Sequence, residues 1–395
     1  MKTLAPGIRV VLAANFIAVA ARMSLVTFLG IYFVRQAGID LRLVGVAFLI
    51  ESLLRGLLAP FFGALSDRIG RRPLLIVSAL CTAVVLPCFL LVRGPAELFA
   101  WSFTLGVAGA VNMPVAAALL LDLSPADRRQ AVLAANYTAM SVAYTLGVMP
   151  AGYVAQRGYG LLAVVASCGF VCVAVLYGML MSTERPVAGE RRSLLSDTIS
   201  VVRDPAFLRF ASLAFVFPLA MGLIVTVSPL FGAELGLGEG YIGLVLGGNS
   251  ILVALLAVPA AARMEAGGPF RWLGAAACLV AAALLCYGIV PDAAVALMAG
   301  TVIFSFGEIV FSSAIPAAVA RLAPKGRRGA YQGGWTLFAS LAMGSALVVS
   351  GFIRDALGWR GAWLIYGVAV LVAGALLFLS RESFLRTSEA RASEN

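Results

Sequence analysis

The stretch "GALSDRIGRRP", residues 63–73, puts charges and glycines between two apolar runs. Its charged and glycine positions are Gly63, Asp67, Arg68, Gly70, Arg71 and Arg72. Gly63 permits close approach of two helices because it has no side chain, and Gly70 permits a tight turn because glycine tolerates backbone angles that other residues avoid. The arginines suit an anionic membrane surface. Asp67 can pair with them or with a helix N-terminus, so we expect a loop whose contacts form in one conformation and break in another.

Apolar runs continue on both sides of this stretch along the whole chain of 395 residues. Hydrophobic residues make up 62% of the sequence and charged residues 12%, about half the charge of a soluble domain. Spanning a bilayer takes about 20 residues. The runs lack period-two alternation and therefore predict helices rather than barrel strands. We expect twelve spans: 8–34, 43–62, 73–92, 96–121, 131–156, 160–181, 207–233, 241–262, 272–290, 294–320, 331–353 and 361–380.

The net charge of +10 is distributed as a topology signal. If both termini lie on one side of the membrane, that side carries 21 of the 29 Lys and Arg residues and the other side carries six. The positive-inside rule then places both termini in the cytoplasm. This explains the basic balance without nucleic acid, so we expect a multi-pass protein of the plasma membrane, in bacteria the inner membrane.

The chain repeats itself with an offset of 199 residues. Proline landmarks coincide, and "SPADRRQAV" at 124 pairs with "APKGRRGAY" at 323. Six spans separate equivalent points, so the two copies have the same orientation in the membrane, an architecture of secondary transporters. We expect a six-helix bundle over residues 1–181, a cytoplasmic linker over 182–206, and a second bundle with a short tail over 207–395.

Residues 63–73 resemble the cytoplasmic loop motif of the major facilitator superfamily, G-x-L-x-D-R-x-G-R-R/K. The motif falls after the second of twelve predicted spans, and the duplicated halves extend the resemblance over the whole chain. The resemblance implies an all-α fold of two parallel six-helix repeats, with alternating access by rocking of the halves. It also implies that helices 1, 4, 7 and 10 line a central cavity. The drug/proton antiporter branch is the most similar.

Three features depart from that branch. The second-half counterpart of the loop, "AARMEAGGPFRW" at 261–272, lacks the Asp-Arg-x-Gly core. Ser102 stands where many drug/proton antiporters carry an arginine, and "GVMPAGYV" at 147–154 only partly matches their Gly-Pro-rich motif.

Four ionisable side chains lie well inside predicted spans: Arg22, Glu51, Arg55 and Glu308. A charge at the bilayer centre costs about 2.5–3.5 kcal/mol even on a lenient scale, so each should face the protein interior and have a partner. Glu51 precedes Arg55 by one helical turn, the favourable order for an ion pair. Arg22 lies at the same depth and is expected to reach Glu51.

Two interpretations of these charges stay open. One is a fixed salt-bridge network that joins helices 1 and 2. The other is proton coupling: a carboxylate in a low-dielectric cavity can take up and release a proton near neutral pH, and the chain contains no histidine. We predict Glu51 and Glu308 as the proton-coupling residues. Arg22 and Arg55 are predicted as charge partners, and Arg22 alternatively as a ligand of an anionic substrate.

Further polar and aromatic side chains within the spans are candidates for the cavity wall. They are Asn15, Asn112, Met113, Asn136, Tyr137, Asn249, Gln332 and Trp335. For each alone, helix packing or interhelical hydrogen bonding is the expected role. Together they describe an apolar cavity with few polar groups.

We therefore expect a secondary transporter that exports small amphipathic or drug-like molecules in exchange for protons. Uptake of a small organic anion is the alternative, and a non-transporting membrane receptor a more distant one. No Walker motif, metal-ligand cluster or nucleophile–base arrangement is visible, so neither enzyme activity, a metal site nor a bound cofactor is expected. The energy source would be the proton motive force. The expected partners are substrate, protons and the lipid bilayer, and the protein is expected to be a monomer.

Overall fold

A computed structural model describes residues 5–125, 129–180, 201, 203–264, 268–324 and 327–386. The linker predicted over 182–206 lies outside these residues at 182–200 and at 202. All secondary-structure elements of the described part are helices, as expected of a chain that must satisfy its backbone polar groups in lipid. Ten helical segments within it are long and apolar enough to cross a membrane.

The helices of the first half are joined by short loops. They are α1 (Pro6–Ile31, extended by a π-helical turn Tyr32–Gln36), α2 (Leu41–Ile69), α3 (Arg71–Val85, extended by a 3-10 turn Leu86–Leu91), α4 (Pro95–Gly109 and Asn112–Leu123), α5 (Arg129–Arg157) and α6 (Tyr159–Gly178). The predicted single span at 96–121 is thus two segments. The break at Ala110 has a local cause, because Pro114 has no N–H to donate to the carbonyl four residues earlier.

The second half follows the same order. Its helices are α7 (segments Pro205–Ala214, Val216–Gly222 and Ser228–Glu234, with a π-helical turn Leu223–Val227), α8 (Glu239–Met264), α9 (Pro269–Ile289), α10 (Ala293–Leu322), and α11 and α12, which form the stretch Arg328–Leu379 and meet at Gly358. Counting α5 and dividing the last stretch at Gly358 accounts for the twelve predicted spans.

The repeat is visible in the turns as well as in the helices. The described glycines with positive φ form three pairs, each within one residue of the 199-residue offset: Gly38 with Gly236, Gly70 with Gly268, and Gly158 with Gly358. Only glycine adopts this backbone region at no steric cost. The two copies therefore reverse direction in the same way at equivalent points.

The chain divides into two compact units. The first contains the residues up to Arg191 together with Gly238–Ile251, and the second contains Arg192–Leu237 and the residues from Leu252 onward. Within the first unit, α1 packs against α5 and α6, α2 against α4, and α3 against α6. Within the second, α9 packs against α10, and both α7 and α9 pack against the stretch formed by α11 and α12.

Candidate functional site

The predicted charged residues of the first unit form one cluster. The Arg22 guanidinium on α1 donates to a Glu51 carboxylate oxygen on α2 at 2.6 Å. The other Glu51 oxygen lies 3.9 Å from Arg55, one turn further along α2. The predicted contact between Arg22 and Glu51 is therefore present, and both arginines converge on a single carboxylate.

This charge cluster is enclosed by the protein. Glu51 is 8% exposed, and the side chain of Arg22 is 14% exposed. Arg55 is about one third exposed. Removing such charges from water is costly, and the cost is repaid only where the geometry is good and further polar groups are satisfied. Two arginines and one carboxylate give the cluster a net charge of +1. The Nε atom of Arg22 is buried without a hydrogen-bond partner among the described residues, so one donor of the cluster is unused.

Helix α4 closes the cluster through two glycines that the sequence alone did not single out. A Cβ atom on Gly106 would lie 2.9 Å from the backbone oxygen of Glu51. A Cβ atom on Gly109 would lie 3.4 Å from Nη1 of Arg22 and 3.8 Å from Cδ of Arg55. The absence of side chains at both positions lets α4 lie directly against α2 and leaves room for the guanidinium groups.

A second polar group joins α1, α5 and α6. Asn15 donates to Oδ1 of Asn136 at 2.8 Å, and the hydroxyl of Tyr177 donates to Oδ1 of Asn15 at 3.2 Å. Asn136 in turn approaches the sulfur of Met140 at 3.3 Å. Asn15 and Asn136 therefore make the interhelical hydrogen bonds expected of them, while Tyr177 and Met140 were not among the candidates.

The other candidates of the first unit differ in exposure. Asn112 begins the second segment of α4, and its Oδ1 atom is buried without a partner among the described residues. Met113 and Tyr137 are exposed, at 63% and 57% respectively. Asn249 on α8 is buried.

The candidates of the second unit lie on α10 and α11. Glu308 is buried on the helix face that also carries Thr301 and Ser305. These two hydroxyls are satisfied by protein groups, Thr301 by the Tyr287 hydroxyl at 2.7 Å and Ser305 by the Thr301 carbonyl at 2.9 Å. On α11, Gln332 donates to the Pro316 carbonyl at 2.8 Å.

Trp335, one turn beyond Gln332 on α11, is an aromatic packing residue of the second unit. Its ring lies 6.2 Å from that of Phe210, between centroids. This contact accounts for the position of Trp335 without a ligand.

The loop after α2 carries its own charge network. Gly70 has φ 92° and allows the tight turn between α2 and α3. Arg71 lies 2.6 Å from Asp122 at the end of α4 and 3.5 Å from Asp67. Arg72 donates from Nε to the Tyr177 carbonyl at 3.0 Å and from Nη2 to the carbonyl of the next residue. The loop thus connects the ends of α2, α3, α4 and α6.

One interpretation of this loop was wrong, and one residue was missed. A Cβ atom on Gly63 would meet no described atom within 4 Å, so this glycine does not provide the close helix approach expected of it. Asp122 was missed, although an acid at the end of a predicted span is a usable signal once that end is placed beside the arginines. Arg68 is exposed.

Comparison with known proteins places the chain in one family. The family described as Major Facilitator Superfamily matches residues 11–240 and again 210–394. A relative from Planococcus maritimus, named Na(+), Li(+), K(+)/H(+) antiporter, is 24% identical over 89% of both chains. Multidrug resistance protein MdtG of Salmonella arizonae is 26% identical over 56% of this chain and 55% of its own length.

Solved structures share the fold at low sequence identity. The nucleoside transporter NupG matches with a TM-score of 0.78 and 14% identity over 95% of this chain and 99% of its own. A POT family transporter in complex with a thioalcohol conjugated peptide matches with a TM-score of 0.78 and 15% identity over 96% of both chains. At such identities these matches speak for the fold alone.

Proposed function

The chain belongs to the major facilitator superfamily, and on that basis we propose that it exports small amphipathic or drug-like molecules in exchange for protons. It is a multi-pass membrane protein and a secondary transporter rather than an enzyme. Export, proton coupling and the site residues are our proposal. We also propose that it works by alternating access in a bacterial inner membrane with both termini cytoplasmic.

The observation that carries this proposal is the carboxylate of Glu51 held between Arg22 and Arg55. While ionised, Glu51 joins α1 to α2 and balances one of the two positive charges. Protonation of Glu51 would remove the attraction and leave two arginines of like charge close together. The contact between α1 and α2 would then weaken, so proton binding is linked to a change in helix packing.

The relatives support the proposal, since the name of one describes exchange for protons and the name of the other describes multidrug resistance. Among the described acidic residues, Glu51 and Glu308 are the buried ones. Each repeat therefore supplies one buried carboxylate that can carry a proton, and we assign proton coupling to both.

Transport in everted membrane vesicles tests the proposal. With a preset pH gradient, addition of a lipophilic cation should release protons from vesicles that contain the wild-type protein. Glu51→Gln should abolish this release, because glutamine has the same shape but cannot carry the proton. The matched control is Glu97→Gln at the exposed start of α4, which should transport normally. Unchanged antiport in Glu51→Gln would refute the assignment.

The same assay separates substrates. Proton release on addition of Na⁺, Li⁺ or K⁺, without a response to lipophilic cations, would mean that the substrate class matches the name of the Planococcus relative instead.

A second candidate function is uptake of a small organic anion at Arg22. The excess positive charge of the cluster and the unused Nε donor of Arg22 favour it. In that case uptake of a labelled organic acid should be lost in Arg22→Gln, and lipophilic cations should not be transported.

A further inference from the structure

A cavity of about 440 Å³ lies in the second unit, where α9 begins and α12 ends. It is lined by Gly268, Phe270, Arg271, Phe378, Arg381 and Leu385. Two of these six residues are arginines, three are apolar and none is acidic. None of the candidate site residues described above lines this cavity.

Three arginines lie in or beside the lining of this cavity. The guanidinium of Arg381 lies over the Phe378 ring, 3.9 Å from its centroid. A third arginine, Arg321, has a terminal nitrogen 3.6 Å from where a Cβ atom of Gly268 would lie. Among the residues that the structure describes, no carboxylate lies within ion-pair distance of Arg271, Arg321 or Arg381.

The equivalent corner of the first unit is neutralised internally. At the 199-residue offset, Arg271 corresponds to Arg72, whose guanidinium donates to two carbonyls at the end of α6. Arg321 corresponds to Asp122, the acid that pairs with Arg71 at 2.6 Å. The second copy has therefore exchanged an acid for a base at this corner and lacks the corresponding ion pair.

We propose that this cavity binds the phosphate of an anionic phospholipid headgroup. Guanidinium groups pair with phosphate through short, charge-assisted hydrogen bonds. Phe378, Leu379 and Leu385 are exposed beside the arginines and offer an apolar surface to acyl chains. The charge distribution of the chain predicts that this end faces the cytoplasm, where basic pockets between helices bind anionic headgroups.

Lipid binding to the purified full-length protein tests the proposal. Phosphatidylglycerol should bind, as measured by native mass spectrometry and by thermal stabilisation, and phosphatidylcholine should bind more weakly. The double substitution Arg271→Gln with Arg381→Gln should weaken phosphatidylglycerol binding by about tenfold, because it removes both charge-assisted contacts. The control is Arg386→Gln, which removes one positive charge from the same end of the chain outside the cavity lining. The single substitutions Arg271→Gln and Arg381→Gln, which each remove one charge inside the lining, are compared with it.

A second variant guards against misfolding of the double substitution. Arg321→Asp restores the acid found at the equivalent position of the first unit. It should supply an internal counter-charge and also weaken phosphatidylglycerol binding. Binding that is reduced no more in the cavity variants than in Arg386→Gln would overturn the proposal. Glycerol 3-phosphate binding as tightly as phosphatidylglycerol would overturn the assignment to a lipid and identify a site for a free phosphate compound.

Discussion

The two copies of the repeat place their buried carboxylates on different helices. In the first copy, Glu51 on α2 lies between Arg22 and Arg55, and Gly109 on α4 leaves space for the guanidinium groups. At the 199-residue offset, Gly109 corresponds to Glu308. The residues equivalent to Arg22, Glu51 and Arg55 are Met221, Ser250 and Ala254.

The polar network around Asn15 shows the same divergence. Asn15, Asn136 and Tyr177 join three helices of the first copy by hydrogen bonds. Their equivalents in the second copy are Ala214, Trp335 and Leu376, and Trp335 packs against Phe210. The helices and their glycine turns are thus retained between the copies, while the buried charges around Glu51 and the hydrogen bonds around Asn15 are not. Polar contacts inside the membrane mark where the copies have specialised, because such groups are costly without a specific role.

Neutralising Glu51, the buried carboxylate of the first copy, should lower the free energy of unfolding more than the other substitutions below. Glu51→Gln leaves the largely buried Arg22 beside the partly exposed Arg55 without a counter-charge, and removing one partner of a buried ion pair costs about 3 kcal/mol or more. The free energy of unfolding in detergent should fall accordingly. Adding Gly109→Asp, which moves a carboxylate to the helix used by the second copy, should restore part of the loss.

That comparison has a clear control. Glu97→Gln on the exposed surface of α4 should change the free energy of unfolding by less than about 0.5 kcal/mol. Glu51→Gln could be equally neutral, or Gly109→Asp could lower the stability of Glu51→Gln further. Either result would mean that pairing of the two arginines with a carboxylate does not stabilise this cluster.

The second largest loss of stability is expected from a substitution at the contact between α2 and α4. Gly106→Ala places a Cβ atom 2.9 Å from the Glu51 backbone oxygen, and overpacking of this kind costs about 1–3 kcal/mol. Ser305, the equivalent residue of α10, shows that the second copy accepts a side chain here. The measurement is the thermal unfolding temperature. Gly63→Ala, which meets no described atom within 4 Å, serves as the control and should not destabilise, because alanine reduces the freedom of the unfolded chain.

The hydrogen-bond network should show the smallest effect. Asn15→Ala copies the residue of the second unit and removes contacts to Asn136 and Tyr177, which costs about 1 kcal/mol in a membrane protein. A double-mutant cycle with Asn136→Ala measures the coupling directly. Strictly additive losses would mean that the pair at 2.8 Å contributes no interaction energy.

Several parts of the site were predictable because they depend on depth and period. Arg22 and Glu51 lie near the centres of their apolar runs, so their common depth in the membrane follows from the span boundaries. Other parts depend on which helices face each other. Gly106 and Gly109 are ordinary residues of an apolar run until α4 is placed against α2. Tyr177 and Asp122 likewise acquire partners from helices that are distant in sequence.

The number of helices, their common orientation in two copies and the family follow from the order of residues along the chain. Hydropathy, helical period and charge asymmetry are local properties that folding does not alter. Pairing of the charges is different, because it depends on how helices rotate and pack. In one copy two arginines converge on Glu51 and carbonyls satisfy Arg72. In the other copy the arginine equivalent to Arg72 lines a cavity together with Arg381. These contacts exist only between residues that packing brings together.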